Sequence, residues 1–149
     1  MDSFRRIVVP VDFSPFSKRA LRAAVRLGKG CGAEIHLVHV VPEYELPSAF
    51  HVRLPDREEL EQKVRQWAQR AFDDYLRGED LAGLPVVREV RYGKPARVIC
   101  DYATEVGADM ILLASHGRSG FERAVFGSVA EKVLRMADQP VMVVKGPVE

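Results

Sequence analysis

The chain has 149 residues, of which 47% are apolar, 29% charged and 8% aromatic. That length suits one domain (residues 1–149) with a proper core, and the composition excludes both an intrinsically disordered chain and a small disulfide scaffold. A net charge of +1 leaves no bulk field to draw in nucleic acid or an anionic membrane, so any phosphate site has to be local.

Strand-like and helix-like segments alternate from one end to the other. Arg6 to Val11 (RIVVPV) is β-branched and nearly all apolar, as a parallel strand buried on both faces requires. Ser14 then reads as a helix N-cap, with Pro15 in the first helical position. Ala20, Leu21, Ala24 and Leu27 follow at helical spacing, and Gly28, Gly30 and Gly32 punctuate the end. Glu34 to Val41 (EIHLVHVV) is a second strand closed by Pro42.

Pro42–Pro55 has no clear period and reads as a long loop. Asp56 then opens the longest helix, with Leu60, Val64, Trp67, Ala71, Phe72 and Tyr75 as its apolar stripe. A third strand spans Val86 to Tyr92. Gly93-Lys94-Pro95 turns into a helix whose Val98, Ile99, Tyr102, Ala103 and Val106 face inward. Met110 to Ala114 (MILLA) is a fourth strand, Ser128 to Met136 a helix, and Val141 to Val144 a last strand. The order βαβαβαβαβ calls for a parallel sheet with right-handed crossovers and helices on both faces.

In such a sheet, ligands bind beyond the carboxyl ends of the strands, where strand order reverses. Three places qualify: Asp12 after the first strand, Val40-Val41 ending the second, and Ser115-His116-Gly117-Arg118-Ser119-Gly120 after the fourth. A phosphate needs several N–H donors aimed at one spot, and backbone approaches closely only where side chains are absent. Gly117 and Gly120 supply that freedom. Gly127-Ser128 adds a hydroxyl and the positive end of a helix. Arg118, Arg123, Lys132 and Arg135 against Glu122 and Glu131 give this stretch a local charge of about +2.

Each feature also has a plainer reading. A glycine-bearing βα loop is equally a tight turn, and Asp12 either meets a ribose or supports the turn entering its helix. His36 and His39 alternate with apolar residues and read as hydrogen-bonded structural histidines, and His116 as a loop histidine. Gly28-Lys29-Gly30-Cys31-Gly32 closes a helix instead of opening one, and Gly93-Lys94-Pro95 lacks the leading glycine of a P-loop. Cys31 and Cys100 have no metal-like spacing and read as buried thiols in a reducing compartment. With no signal-peptide core and no apolar run long enough to span a bilayer, the expected location is the cytoplasm. A phosphoacceptor receiver domain needs aspartates at its strand ends, where this chain has Tyr92-Gly93. No basic stripe or aromatic platform suggests nucleic acid.

Several of these segments together resemble the universal stress protein family: Ile7-Val8-Val9-Pro10-Val11-Asp12-Phe13-Ser14 with Ala20-Leu21, His36-Leu37-Val38-His39-Val40-Val41, Ser115-His116-Gly117-Arg118 through Gly127-Ser128-Val129-Ala130, and the closing Gln139-Pro140-Val141-Met142-Val143-Val144-Lys145. Nucleotide-binding members carry G-x2-G-x9-G-[ST]. Gly117, Gly127 and Ser128 fit it, while Ala114 stands at the first glycine. The resemblance implies a three-layer, doubly wound, five-stranded parallel sheet of order 3-2-1-4-5, the adenine nucleotide alpha hydrolase-like fold. It implies a site for ATP or AMP, with any Mg2+ carried on the phosphates. Pro10, Val11 and Asp12 would lie by the adenosine, Asp12 on the ribose or adenine edge, and Val40 would hold adenine through its backbone. Ala114, Ser115, Gly117, Arg118, Gly127, Ser128 and Val129 would surround the phosphates. It implies a homodimer through Val141, Met142, Val143 and Val144, an apolar edge strand that is a hazard unless another chain covers it.

Three functions follow as alternatives: a nucleotide-binding stress or signalling module with protein partners the sequence does not name, a dimeric interaction module of the same family that binds no nucleotide, or a slow ATPase. No paired carboxylates or activated nucleophile accompany the glycine loop, so turnover beyond weak ATP hydrolysis is not expected. Ala114 costs affinity only if its position demands a left-handed backbone.

Overall fold

The structure, a computed structural model, describes residues 3–42, 54–116 and 126–145, with the backbone alone for residues 54–57. Nine elements follow in order: β1 (Arg6–Pro10), α1 (Pro15–Cys31), β2 (Glu34–Val41), α2 (Leu54–Leu76), β3 (Val86–Tyr92), α3 (Pro95–Glu105), β4 (Met110–Ala114), α4 (Ser128–Met136) and β5 (Val141–Val144). The strands form one parallel sheet of order β3-β2-β1-β4-β5. β1 is its centre, Ile7 pairing with Ile35 on one side and Met110 on the other.

Alternation along each strand sorts the core into two layers. Ile7, Val9, Ile35, Leu37 and Leu112 pack with Leu21 and Ala24 of α1 and with Ala68 and Phe72 of α2. Val8, Val38, Ile111 and Leu113 pack with Ile99, Tyr102 and Ala103 of α3 and with Ala130 and Val133 of α4. Helices therefore cover both faces, as right-handed crossovers running outward in both directions from β1 require. At the amino ends of the strands, the Asp109 carboxylate accepts the N–H groups of Arg5 and Arg6 at 2.8 and 3.0 Å, tying β4 to β1. Glu79, just beyond α2, pairs with Arg22 at 2.9 Å and Lys18 at 3.7 Å, which fastens α2 to α1. No helix among the described residues is long and apolar enough to cross a membrane.

Three details depart from the sequence reading. The long helix begins at Leu54 and not Asp56, because a proline is tolerated in a first turn, where its missing N–H would be unpaired anyway. The first strand ends at Pro10, although the Val11 N–H still donates to the Val38 carbonyl at 2.9 Å. Leu27 and Trp67, expected in the core, are 39% and 44% exposed. Residues 43–53, read as loop, lie outside the described residues, apart from Pro42 before them.

α1 also runs straight through Gly28 and Gly30, stopping at Gly32, whose left-handed φ of 69° makes it the true C-cap. Gly28 lies against β2: a Cβ there would meet Leu84 Cδ1 at 2.9 Å and Ile35 Cδ1 at 3.4 Å, whereas one on Gly30 would meet nothing within 4 Å. The helix interior favours alanine over glycine by about 0.5–1 kcal/mol. Gly30→Ala should therefore raise the unfolding free energy by about that amount in urea titrations, and Gly28→Ala by less, because the Leu84 methyl has to move first. Equal gains at both positions would refute the close approach of Gly28 to Leu84.

Candidate functional site

Beyond the carboxyl ends of β1, β2 and β4 the surface opens into a cleft of about 350 Å³, within the range of small-ligand sites. It lies where strand order reverses, the place a doubly wound sheet leaves open. Of the residues singled out in the sequence, Pro10, Val11, Asp12, Val40, Ala114, Ser115, Gly127, Ser128 and Val129 all line it. Gly117 and Arg118 lie outside the described residues, as do Ser119, Gly120, Glu122 and Arg123.

The β1 side carries the carboxylate. Asp12 Oδ1 accepts the Ser14 N–H at 2.9 Å, so it does support the turn. That bond does not exhaust a carboxylate, which has several acceptor positions. Ser14, as N-cap, accepts the Ser17 N–H on its side-chain oxygen. Ser17 is itself a lining residue, and its Oγ lies 2.7 Å from the Tyr75 hydroxyl of α2.

The β4 side carries the amides. The Gly127 N–H is committed, donating to the Ser115 carbonyl at 2.6 Å and closing the loop between β4 and α4. Gly127 is the N-cap of α4 and brings no side chain to cap it. The N–H groups of Ser128, Val129 and Ala130 have no carbonyl one turn back, by the geometry of any helix start. All three residues line the cleft, so it ends on a set of donors at the positive pole of a helix. Ser115 Oγ lies 3.0 Å from His116 Nδ1. Ala114 is an ordinary strand residue, paired with Val144. Only Phe13 and Ala82 have positive φ among the described non-glycine residues, so alanine at position 114 carries no left-handed cost.

Of the four cations read in this stretch, Arg118 and Arg123 lie outside the described residues. Arg135 is tied back to Glu131 one turn away on α4, which leaves it facing solvent and not the cleft. Among the described residues, no cluster of three or more His, Cys, Asp or Glu is placed to hold a metal ion.

Part of the cleft escaped the sequence reading. Val38 and Pro42 of the β2 side, Pro95 and Ile99 of α3, and Leu113 of β4 supply its apolar walls. Only periodicity marked Ile99, and periodicity says core without distinguishing core from cleft floor. His39 also lines the cleft while its Nδ1–H donates to the Val11 carbonyl at 2.8 Å. His36, on the opposite face, bonds the Tyr102 hydroxyl at 2.8 Å and the Glu34 carboxylate, as a structural histidine would.

A model of the universal stress protein family matches residues 3–145. The chain belongs to the universal stress protein family. Universal stress protein MJ0531 of Methanocaldococcus jannaschii is similar at 31% identity over 147 residues, covering 97% of this chain and 84% of its own. The structure of MJ0577, a universal stress protein of the same organism, matches with a TM-score of 0.84 at 27% identity, over 99% of this chain and 100% of its own. An Archaeoglobus fulgidus universal stress protein, solved in complex with dAMP, shares the fold at a TM-score of 0.63 and 23% identity, over 97% of this chain and 100% of its own. The architecture of this universal stress protein is thus the adenine nucleotide alpha hydrolase-like one.

Burial shapes the titration of two core tyrosines. It pushes Tyr102 up to about 12 and raises Tyr75 further still. A tyrosine with a folded pKa above its unfolded value near 10 keeps its proton longer in the native state. Its contribution is complete below about pH 10 and disappears as pH climbs toward 12. Urea midpoints should therefore fall between pH 9 and pH 11.5. Tyr102→Phe, although less stable at every pH for want of the His36 bond, should fall less steeply. Parallel curves would show that Tyr102 titrates alike in both states.

Proposed function

We propose that the cleft binds an adenine nucleotide, ATP or AMP, and that this universal stress protein is a cytoplasmic, one-domain stress-response or signalling module set by that ligand. The observation that carries the reading is the meeting of Asp12 and the uncapped start of α4 across one cleft of about 350 Å³. The two ends differ in chemistry as the two ends of a nucleotide do. A carboxylate accepts hydrogen bonds from ribose hydroxyls, and helix N–H groups receive a phosphate.

Between them, Val11, Val38, Val40 and Ile99 offer apolar walls to a base, with the Val40 backbone at its edge. The dAMP bound by the Archaeoglobus fulgidus protein belongs to the same ligand class. Ser128, Val129 and Ser115 would hold the first phosphate. Gly117 and Arg118, on the stretch between Ser115 and Gly127, would extend the cradle to further phosphates. Any Mg2+ would ride on those phosphates, as that ion commonly does.

Protein stripped of co-purified nucleotide should melt roughly 5–10 °C higher with ATP or AMP at a hundredfold the dissociation constant, and not with GTP. Gly127→Val should cut affinity at least about tenfold by crowding the phosphate. It should leave the fold intact, since a φ of −70° suits any residue. Asp12→Ala should weaken AMP and ATP alike. No shift with any adenine nucleotide would remove the reading. A loss confined to ATP in Asp12→Ala would move the ribose elsewhere.

The homodimer through Val141, Met142, Val143 and Val144 belongs to the same proposal. β5 is the sheet's outer strand, and Met142 on it is 38% exposed, with Leu134 and Met136 of α4 exposed as well. A second chain adding to that edge would cover unpaired backbone and these side chains together. Met142→Asp should convert a dimer into monomer in light scattering after gel filtration. A wild-type protein that runs as a monomer would end this part of the proposal.

A further inference from the structure

Phe13, the residue directly after Asp12, has a φ of 64°. An L-residue with a bulky side chain rarely adopts that backbone, and it persists only where its surroundings overdetermine it. The surroundings are aromatic. The Phe13 ring lies 4.4 Å from the His39 ring, 5.0 Å edge-on from Phe72, and 5.8 Å from both Trp67 and Tyr75. Three of these four rings belong to α2.

The same cage holds both neighbours of Asp12. His39 takes the carbonyl of Val11 by its Nδ1–H, and the cage grips the ring of Phe13. Tyr75 reaches on to Ser17 Oγ, which donates to the Ser14 carbonyl at 2.9 Å. Phe13, Trp67, Phe72 and Tyr75 do not line the cleft. Asp12 is thereby set from behind, by a helix none of whose described side chains lines the cleft.

We infer that Phe13 is the positioning residue for Asp12, and that α2 sets the affinity of the cleft through the aromatic cage around it. The ligand in question is the adenine nucleotide proposed above, and the inference rests on that reading for its ligand alone. Since linkage is reciprocal, nucleotide binding tightens the docking of α2 by the same factor that α2 docking tightens nucleotide binding.

The test compares Phe13→Ala, Phe13→Gly and Trp67→Ala in the full chain. Affinity for AMP and ATP is read by calorimetry, and exchange of the Ser14 amide, the group Asp12 accepts, is read without nucleotide. Phe13→Ala loses the ring and keeps the unfavourable backbone, so affinity should fall about tenfold. Phe13→Gly loses the same ring but adopts positive φ freely, and should recover about three- to fivefold of that loss. A role in packing alone would put glycine no higher than alanine. Trp67→Ala, at a half-exposed position, should fold, weaken both nucleotides about threefold, and speed Ser14 exchange.

Unchanged affinity in Phe13→Ala and Trp67→Ala, with wild type binding, would overturn the inference and leave the nucleotide reading standing. If the wild type binds neither nucleotide, that reading fails by itself, and Ser14 exchange still decides the positioning. Faster exchange in Trp67→Ala upholds it, and unchanged exchange overturns it. Should Phe13→Ala not fold, Trp67→Ala decides by itself: weaker nucleotide binding with faster Ser14 exchange upholds the inference, and no change in either overturns it.

Discussion

Everything else in this protein depends on β1 having a parallel neighbour at both edges. Its apolar run Ile7-Val8-Val9 is buried on both faces, with β2 and β4 on either side. A right-handed crossover leaving β1 toward β2 puts α1 on one face, and the connections leading outward through β4 put α3 and α4 on the other. The chain after β1 and the chain after β4 thus turn away from each other. The gap between them is a consequence of the strand order, and side chains within the sheet cannot fill it.

The two turns that border this gap solve different problems. After β1 the chain enters a helix whose start is already capped by Ser14, with Asp12 two residues earlier. That helix start is satisfied from within. After β4 the chain reaches a helix capped only by glycine, and the Gly127 N–H is used to close the loop on Ser115. That start is left open. Of the three helix N-termini beside the cleft, α1 starts on a capped turn and α3 on Pro95, which has no N–H, whereas α4 starts with consecutive backbone donors. Beside it Ala114 keeps ordinary strand conformation, so its methyl group carries no backbone cost there.

The strands and caps were legible because local rules and tertiary structure agree there: β-branched runs, Ser14 with Pro15, and the alternation of β and α. That the ends of β1 and β4 border one cleft was legible for the same reason, since a carboxylate and a glycine-serine pair fall at strand ends. The apolar walls were not. Ile99 and Pro95 reach the cleft from α3, on the far side of the sheet from α2, and no short-range pattern reports which helix residues overhang a strand end. Trp67 failed in the opposite sense: helical spacing placed it inward, yet its ring lies at the margin of the aromatic cage and half of it meets solvent. The resemblance to a family supplied strand order, which periodicity cannot.

Phe13 is where local rules fail outright, and the failure is informative. Its φ is the kind for which glycine is the ordinary choice, and glycine would satisfy the turn at no steric cost. It would also leave the segment after Asp12 looser in the unfolded chain and unanchored in the folded one. An aromatic residue accepts local strain and offsets it with contacts to His39, Trp67, Phe72 and Tyr75. The balance differs in kind as well as in size. Glycine would make the geometry of Asp12 permissible, whereas phenylalanine makes it dependent on β2 and α2 being in place. A turn held that way can be loosened or tightened from outside the cleft, which a glycine turn cannot.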